Sequence, residues 1–344
     1  MKRIKVSFAG REVEFVDRER ALEQVAKLAE KGTYTVHVVY GPEGCGKTAF
    51  LKQTKAILEE EYGYHVVYAN PLAKRAEEIL QYSPSAEGIV KEVLSATPDP
   101  WGKMADVAIT IAGWIIKRFR RSRVAVLMDD IFQAVGVENA EAYVKALLNL
   151  IEWPPAEYER MVVLVASSEG VTRERVGRHR WATIKVMWNM PRSGFEKLYE
   201  LLPGPKPPFD EVWKLAGGSP DTLEGLLEAG WDAEQLTKTL FISKGLGDVL
   251  PALSRVKLEV LREAVEDPDV ILERIREREV QELRDLLVEK NLVVRVWDRD
   301  QYLWVDTPPP EKDPELGIGR HYAWQTPLHR EAVRRALEQA QRSA

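Results

Sequence analysis

Cysteine is nearly absent. Cys45 is the only one in 344 residues, so no intramolecular disulfide can form. An N-terminal signal peptide is not recognisable either. The longest apolar run, Met104 to Ile116, contains Asp106 and is too short to span a bilayer. Surplus positive charge is also missing. Lys and Arg number 49 against 54 Asp and Glu, a net charge of -5. Nothing global therefore attracts nucleic acid or an anionic membrane. Internal repeats and low-complexity tracts are lacking. These absences predict a cytoplasmic protein with no membrane partner. The chain is 45% hydrophobic and 30% charged, enough to bury a sizeable core and stay soluble. Its length suits about two or three domains. High charge with scarce cysteine would suit a thermophile.

The most informative stretch is Gly41-Pro42-Glu43-Gly44-Cys45-Gly46-Lys47-Thr48. It matches G-x-x-x-x-G-K-[ST], the phosphate-binding loop or Walker A motif. Thr35 to Tyr40 before it reads as a strand, and Thr48 to Glu61 after it as a helix. Its glycines let backbone N–H groups turn inward toward an anion, and the helix adds its positive end. Lys47 can reach the β- and γ-phosphates. The Thr48 hydroxyl can ligate Mg²⁺. The alternative is a Gly-rich turn that binds nothing; strand, loop and helix in register argue against it. Cys45 reads as a small tolerated residue rather than a redox switch.

Taken in order, residues 4 to 16 read as a short hairpin or arm. Asp17 suits the N-cap of a helix running to Ala29. His65 to Asn70 reads as a strand. Helices follow from about Pro84 to Ala96 and from Lys103 to Phe119. Lys117, Arg118, Arg120, Arg121 and Arg123 end the second, where cations suit the helix's negative end. Val124 to Asp130, Met161 to Ala166 and Thr183 to Trp188 read as three further buried strands. Strands alternating with helices predict an α/β fold, a parallel sheet covered on both faces. After Pro191 short helices are predicted at Ser193 to Leu202, Asp210 to Ala216 and Asp221 to Ala229. Longer ones start at Asp232, Ser254 and about Asp269. Leu292 to Trp297 and Tyr302 to Val305 read as a strand pair, and Pro327 to Ala340 as the last helix. Helices followed by a strand pair suggest a winged-helix domain. The expected domains are 1-191 for nucleotide binding, 192-253 as a helical lid and 254-344 as the winged helix.

Asp129 ends an apolar strand, where a P-loop fold holds its second Mg²⁺ contact, the Walker B position. Asp130, if the strand stays extended, points to the opposite side and could orient or deprotonate a water. It could equally cap the next helix. Ser167 and Ser168 end the neighbouring strand, where a hydroxyl could bond the γ-phosphate or the water. A plain strand-end turn is nearly as good a reading.

With these residues placed, the sequence resembles the archaeal branch of the STAND ATPases, signal-transduction ATPases related to AAA+ proteins. Phe15-Val16-Asp17-Arg18-Glu19, the phosphate loop, Asp129-Asp130 and Gly217-Gly218-Ser219-Pro220 carry the resemblance. It spans roughly residues 15 to 335. It implies ATP or ADP held with Mg²⁺ between sheet domain and lid. Gly41, Pro42, Glu43, Gly44, Cys45, Gly46, Lys47, Thr48 and Ala49 would hold the phosphates. Val16, Arg18 and Pro220 would lie at the adenine. Lys47, Asp130 and Ser167 would serve the reaction; Thr48 and Asp129 would hold the metal. Many relatives carry glutamate where Asp130 stands, and the shorter side chain argues against brisk hydrolysis. Arg173, Arg175, Arg178 and Arg180 are all candidates to approach phosphate.

The leading expectation is an ATP-driven regulatory switch. ATP and ADP would favour different arrangements of sheet domain, lid and winged helix. The alternative is a DNA-binding ATPase like the origin-recognition proteins. Its recognition helix would be Glu279 to Lys290, bearing Glu279, Glu282, Asp285 and Glu289 against Arg284 and Lys290. Residues 254 to 344 carry sixteen Lys and Arg against nineteen Asp and Glu, the wrong balance for a phosphate reader. The C-terminal domain is therefore expected to contact a protein partner. A small-molecule kinase has no evident acceptor site and leaves the helical tail unexplained.

Overall fold

The computed structural model describes residues 1–168, 176–177 and 180–343. The chain forms two compact units. The first comprises Met1–Lys5, Arg18–Gly41 and Lys47–Met187; the second comprises Val6–Asp17, Pro42–Gly46 and the chain from Trp188 onward.

Apolar runs build the sheet of the first unit. Its strands are β3 (Val36–Tyr40), β4 (His65–Ala69), β5 (Leu80–Tyr82), β6 (Arg123–Asp129), β7 (Arg160–Ser167) and β8 (Ala182–Val186). They lie in the order β5-β4-β6-β7-β3-β8. All neighbours pair in parallel except β5, which runs antiparallel to β4. The sheet is thus mixed, where the sequence pattern predicts a purely parallel one. β5 is only three residues long and half-buried, so it carries no continuous apolar signal. It follows directly on α3 (Ala76–Ile79) and covers an edge that would otherwise stay unpaired.

Helices lie on both sides of the sheet. Val36, Val38, Val67, Val126 and Val163 pack with α4 (Glu87–Ala96), α5 (Met104–Arg118) and α7 (Ala140–Glu152). The other side carries α1 (Glu19–Lys31) and α2 (Lys47–Glu60), which meet β4, β6 and β7. Two local expectations change. Arg18, not Asp17, occupies the N-cap position of α1, and both adopt left-handed conformations, φ 65° and 61°. A short helix, α6 (Ile131–Val135), precedes α7, so β6 stops at Asp129. Lys117 and Arg118 lie in the last turn of α5, exposed, as a helix C-terminus favours.

The second unit begins with the hairpin β1 (Lys5–Phe8) and β2 (Arg11–Glu14). Phe8 and Val13 share a core with Phe195 and Tyr199 of α8 (Arg192–Glu200), Val212 of α9 (Phe209–Ala216) and Leu223 of α10 (Pro220–Glu228). Asp232 caps α11 (Ala233–Ser243) by accepting the N–H groups of Glu234 and Gln235. After α12 (Leu246–Val249), Ser254 caps α13 (Arg255–Glu266) through the Lys257 N–H. The short α14 (Val270–Glu273) leads to α15 (Arg278–Glu289). Leu261, Ile271 and Leu283 pack against Trp324 and Val333, the latter in α16 (Pro327–Ser343).

The predicted strand pair is partly wrong. Its first member is β9 (Val293–Arg295), but its partner is β10 (Tyr322–Trp324), register Val294 to Ala323. Residues 301–303 instead form a 3-10 turn. Trp304 and Val305, just after that turn, are buried, with the Trp304 indole N–H on the Asp298 carbonyl at 2.8 Å. The exposed Tyr302 and the buried Trp304 and Val305 together gave this segment its strand-like look.

Candidate functional site

In the first unit the carboxyl ends of β6, β7 and β3 lie side by side. Asp129 stands opposite Ala166, and Tyr40 opposite Ser167. The Gly41 N–H, leaving β3, reaches the Ser167 carbonyl at 3.3 Å. This brings Gly41, Ser167 and Asp129 to one edge of the sheet. Lys47 opens α2 and is buried, with its ammonium on the Gly41 carbonyl at 3.1 Å. Thr48 and Ala49 follow in the first turn, both half-buried.

Asp129 is fully buried. Its Oδ2 accepts the Tyr68 phenol at 3.0 Å and the Asn70 amide at 3.2 Å. Its Oδ1 has no hydrogen-bond partner among the described residues. Burial, and then the neighbouring Asp130 charge, push the Asp129 carboxyl up to about 6; Thr48, Tyr68 and Lys47 pull the other way. A buried oxygen without a donor is the position a cation would satisfy. With the Thr48 hydroxyl beside it, the pair fits Mg²⁺, which takes one or two protein ligands and keeps waters or phosphates for the rest. No group of three or more metal-ligating His, Cys, Asp or Glu side chains occurs among the described residues.

Asp130 departs from the extended geometry. At φ 47° and ψ 26° it occupies the cap of α6. Its side chain therefore does not alternate across the strand; the Ser168 hydroxyl donates to its Oδ1 at 3.3 Å. Ser167 is buried. Arg18 is buried too. Of the candidate arginines, Arg180 is exposed ahead of β8, while Arg173, Arg175 and Arg178 lie outside the described residues.

The second unit holds the tip of the loop, residues 42–46. Gly44 and Gly46 have φ 73° and 98°. Glycine is required at 44 for a second reason: an added Cβ would lie 2.3 Å from the Asp221 Cβ. The Gly44 carbonyl accepts the Asp221 N–H at 3.3 Å. The Glu43 N–H donates to Gln325 Oε1 at 3.0 Å, and its carboxylate pairs with Lys244 at 3.0 Å. Cys45 is buried, with its N–H on the Pro42 carbonyl at 3.4 Å. Pro220 sits at the first turn of α10, and Ser219 caps that helix through the Thr222 N–H. The Pro220 Cγ is 3.9 Å from the Cβ position of Gly46. A Cβ at Gly218 would strike the Met190 carbonyl at 2.2 Å, so the Gly-Gly-Ser-Pro turn needs glycine there. Val16 packs at the hydrophobic core of this unit.

Tyr68, Asn70, Lys244 and Gln325 escape sequence reasoning. Tyr68 reads as an ordinary strand aromatic and Asn70 as a strand-end turn residue. Lys244 and Gln325 lie far from the loop in the chain and match no motif.

The fold resembles solved structures of low sequence identity. A Walker-type ATPase of Pyrococcus abyssi has TM-score 0.50 at 16% identity, covering 93% of this chain and 96% of that one. An ORC2 protein of Aeropyrum pernix, in ADPNP and ADP complexes, has TM-score 0.47 at 15% identity, covering 94% of each chain. DnaA of Aquifex aeolicus bound to AMPPCP has TM-score 0.40 at 16% identity, covering 78% of each. At such identities the likeness is one of fold. No curated protein matches the chain. The family described as an ATPase domain predominantly from Archaea matches residues 15–226, more than half of the sequence. The chain accordingly belongs to this family of predominantly archaeal ATPase domains.

Proposed function

We propose that the protein is a nucleotide-controlled switch of the STAND type that binds ATP or ADP with Mg²⁺ and hydrolyses ATP slowly. Gly41 to Ala49 cradle the phosphates, with Lys47 as the charged contact. Thr48 and Asp129 hold Mg²⁺, which would neutralise phosphate charge. Val16, Arg18 and Pro220 serve the adenine. Asp130 and Ser167 lie at the reacting end, and the shortness of Asp130 argues for slow turnover. Residues 192-253 act as a lid and 254-344 as a winged-helix regulatory domain that contacts a protein partner.

The observation that carries the switch is the loop tip in the second unit. Glu43 and Gly44 are engaged by Gln325, Lys244 and Asp221. A phosphate-binding loop held by Asp221 and Lys244 from the lid segment and by Gln325 from the C-terminal segment gives nucleotide state a physical route to both. Lys244→Ala in the full chain should speed ADP release about two- to fivefold, the worth of a half-exposed ion pair. Stopped-flow release of a fluorescent ADP giving the wild-type rate would remove this support.

The competing reading is a DNA-binding ATPase. α15 carries acids already engaged: Glu282 with Lys257 and Arg278, and Asp285 with Arg284. Duplex DNA should bind negligibly at about 0.15 M salt, where exposed charges are screened beyond roughly 8 Å. Submicromolar, sequence-specific binding by fluorescence anisotropy would promote that reading instead.

A further inference from the structure

β4 and β6 are parallel neighbours, with Ala69 opposite Met128. Tyr68 lies in β4 and Asn70 directly follows its last residue. Both reach the same carboxylate oxygen, Asp129 Oδ2, at 3.0 and 3.2 Å. Tyr68 is fully buried and Asn70 nearly so. A phenylalanine would fill the site of Tyr68 equally well. The hydroxyl brings a desolvation cost that only its hydrogen bond offsets. It donates to the Asp129 carboxylate.

Two donors on one oxygen do two things. They fix the rotation of the carboxylate about its last bond. They also occupy one oxygen and leave the other, Oδ1, without a partner among the described residues. A carboxylate held in this way offers one oxygen in a set direction. That matches Mg²⁺, which demands near-octahedral geometry and takes few protein ligands. Outer groups that orient a ligand change metal affinity about 10- to 100-fold when removed.

We propose that Tyr68, assisted by Asn70, is a positioning residue that aims Asp129 Oδ1 at the nucleotide-bound Mg²⁺. This rests on the reading of Asp129 as a metal ligand. Tyr68 touches neither nucleotide nor metal and acts only through Asp129.

The test is titration calorimetry of ATP binding to the full chain, across a Mg²⁺ series and in chelator. Tyr68→Phe should leave chelator affinity within about twofold of wild type while raising the half-saturating Mg²⁺ concentration about tenfold. Asn70→Ala should shift it in the same direction. Asp129→Asn is the control that separates the two claims. If Asp129→Asn abolishes the Mg²⁺ dependence but Tyr68→Phe keeps the wild-type midpoint, the positioning role fails and the metal ligand stands. If Asp129→Asn itself keeps the wild-type Mg²⁺ dependence, the metal reading fails and the positioning role with it. A Tyr68→Phe protein that lowers the melting temperature but not the Mg²⁺ response shows a purely structural hydroxyl and overturns the proposal. Should Tyr68→Phe not fold, Asn70→Ala decides the matter, and an unchanged midpoint there refutes it.

Discussion

Lys47 is a buried ammonium that donates to the Gly41 carbonyl and acts electrostatically on Asp129. A phosphate would give it a charge-assisted partner. Lys47→Ala should therefore weaken ATP binding about ten- to a hundredfold, from a charge-assisted contact worth roughly 1.5–3 kcal/mol. Calorimetry giving wild-type affinity would remove Lys47 from the site. Asp130 makes a different test. Its left-handed backbone is one that asparagine tolerates well. Asp130→Asn should keep fold and binding, and lower turnover if the carboxylate handles the water's proton. Equal ATP turnover in variant and wild type would show that it does not.

At the scale of elements, the β9–β10 pair shows how a long excursion can be held. Residues 296–321 separate its strands. The Asp269 carboxylate, just before α14, ties them back. It accepts the N–H groups of Arg320 at 2.6 Å, His321 at 2.7 Å and Tyr322 at 3.2 Å. Arg299 does the converse, donating to the carbonyls of Pro310, Glu311, Gly319 and Arg320. Asp269→Ala should destabilise the protein by about 2–4 kcal/mol, because it leaves several donors without an acceptor. Asp269→Asn should cost about half as much. Its carbonyl can replace Oδ1, which takes the His321 and Tyr322 bonds, but not Oδ2. Urea denaturation showing equal losses for both variants would contradict this assignment.

At the scale of the whole molecule, His329 and His37 both contribute to the acid response. His329 is buried beside Thr326, and burial followed by the Lys244 charge lowers it to about 3. Between pH 6.5 and about 3 the unfolded chain binds a proton here that the native chain does not. Its contribution to stability is thus present above pH 6.5 and is lost as pH falls. From pH 7 to 5 that loss is about 2 kcal/mol. His37, lowered to about 4 chiefly by burial, acts in the same direction. Asp129, raised, acts in the opposite one: its carboxyl costs stability when charged, and that cost is relieved as pH falls through about 6. Denaturant midpoints of wild type and His329→Gln at pH 7 and 5 isolate the histidine. The variant should lose about 2 kcal/mol less; identical acid losses would show that His329 is not the group responsible.

The sequence by itself determined the elements whose cause is local. Gly41 to Thr48 between strand and helix needs only chain-neighbour chemistry, and so do the Asp232 and Ser254 caps. Valine-rich runs were legible as buried strands because both faces of the sheet are covered. Tertiary structure decided what depends on residues far apart in the chain. The short edge strand β5 exists because β4 offers it an unpaired side. Tyr322 to Trp324 replaced Tyr302 to Val305 as the partner of β9. Trp304 and Val305 are buried like Tyr322 to Trp324, and periodicity cannot tell a strand from a short buried segment that follows a turn. The left-handed turn at Asp130 was equally hidden, since a strand-end aspartate is compatible with extension or with capping. Tyr68 and Asn70 reach Asp129 across about sixty residues of chain, and Gln325 reaches Glu43 across 282. Such pairs leave no mark in local spacing, because only the packing of the folded chain brings them within hydrogen-bonding distance.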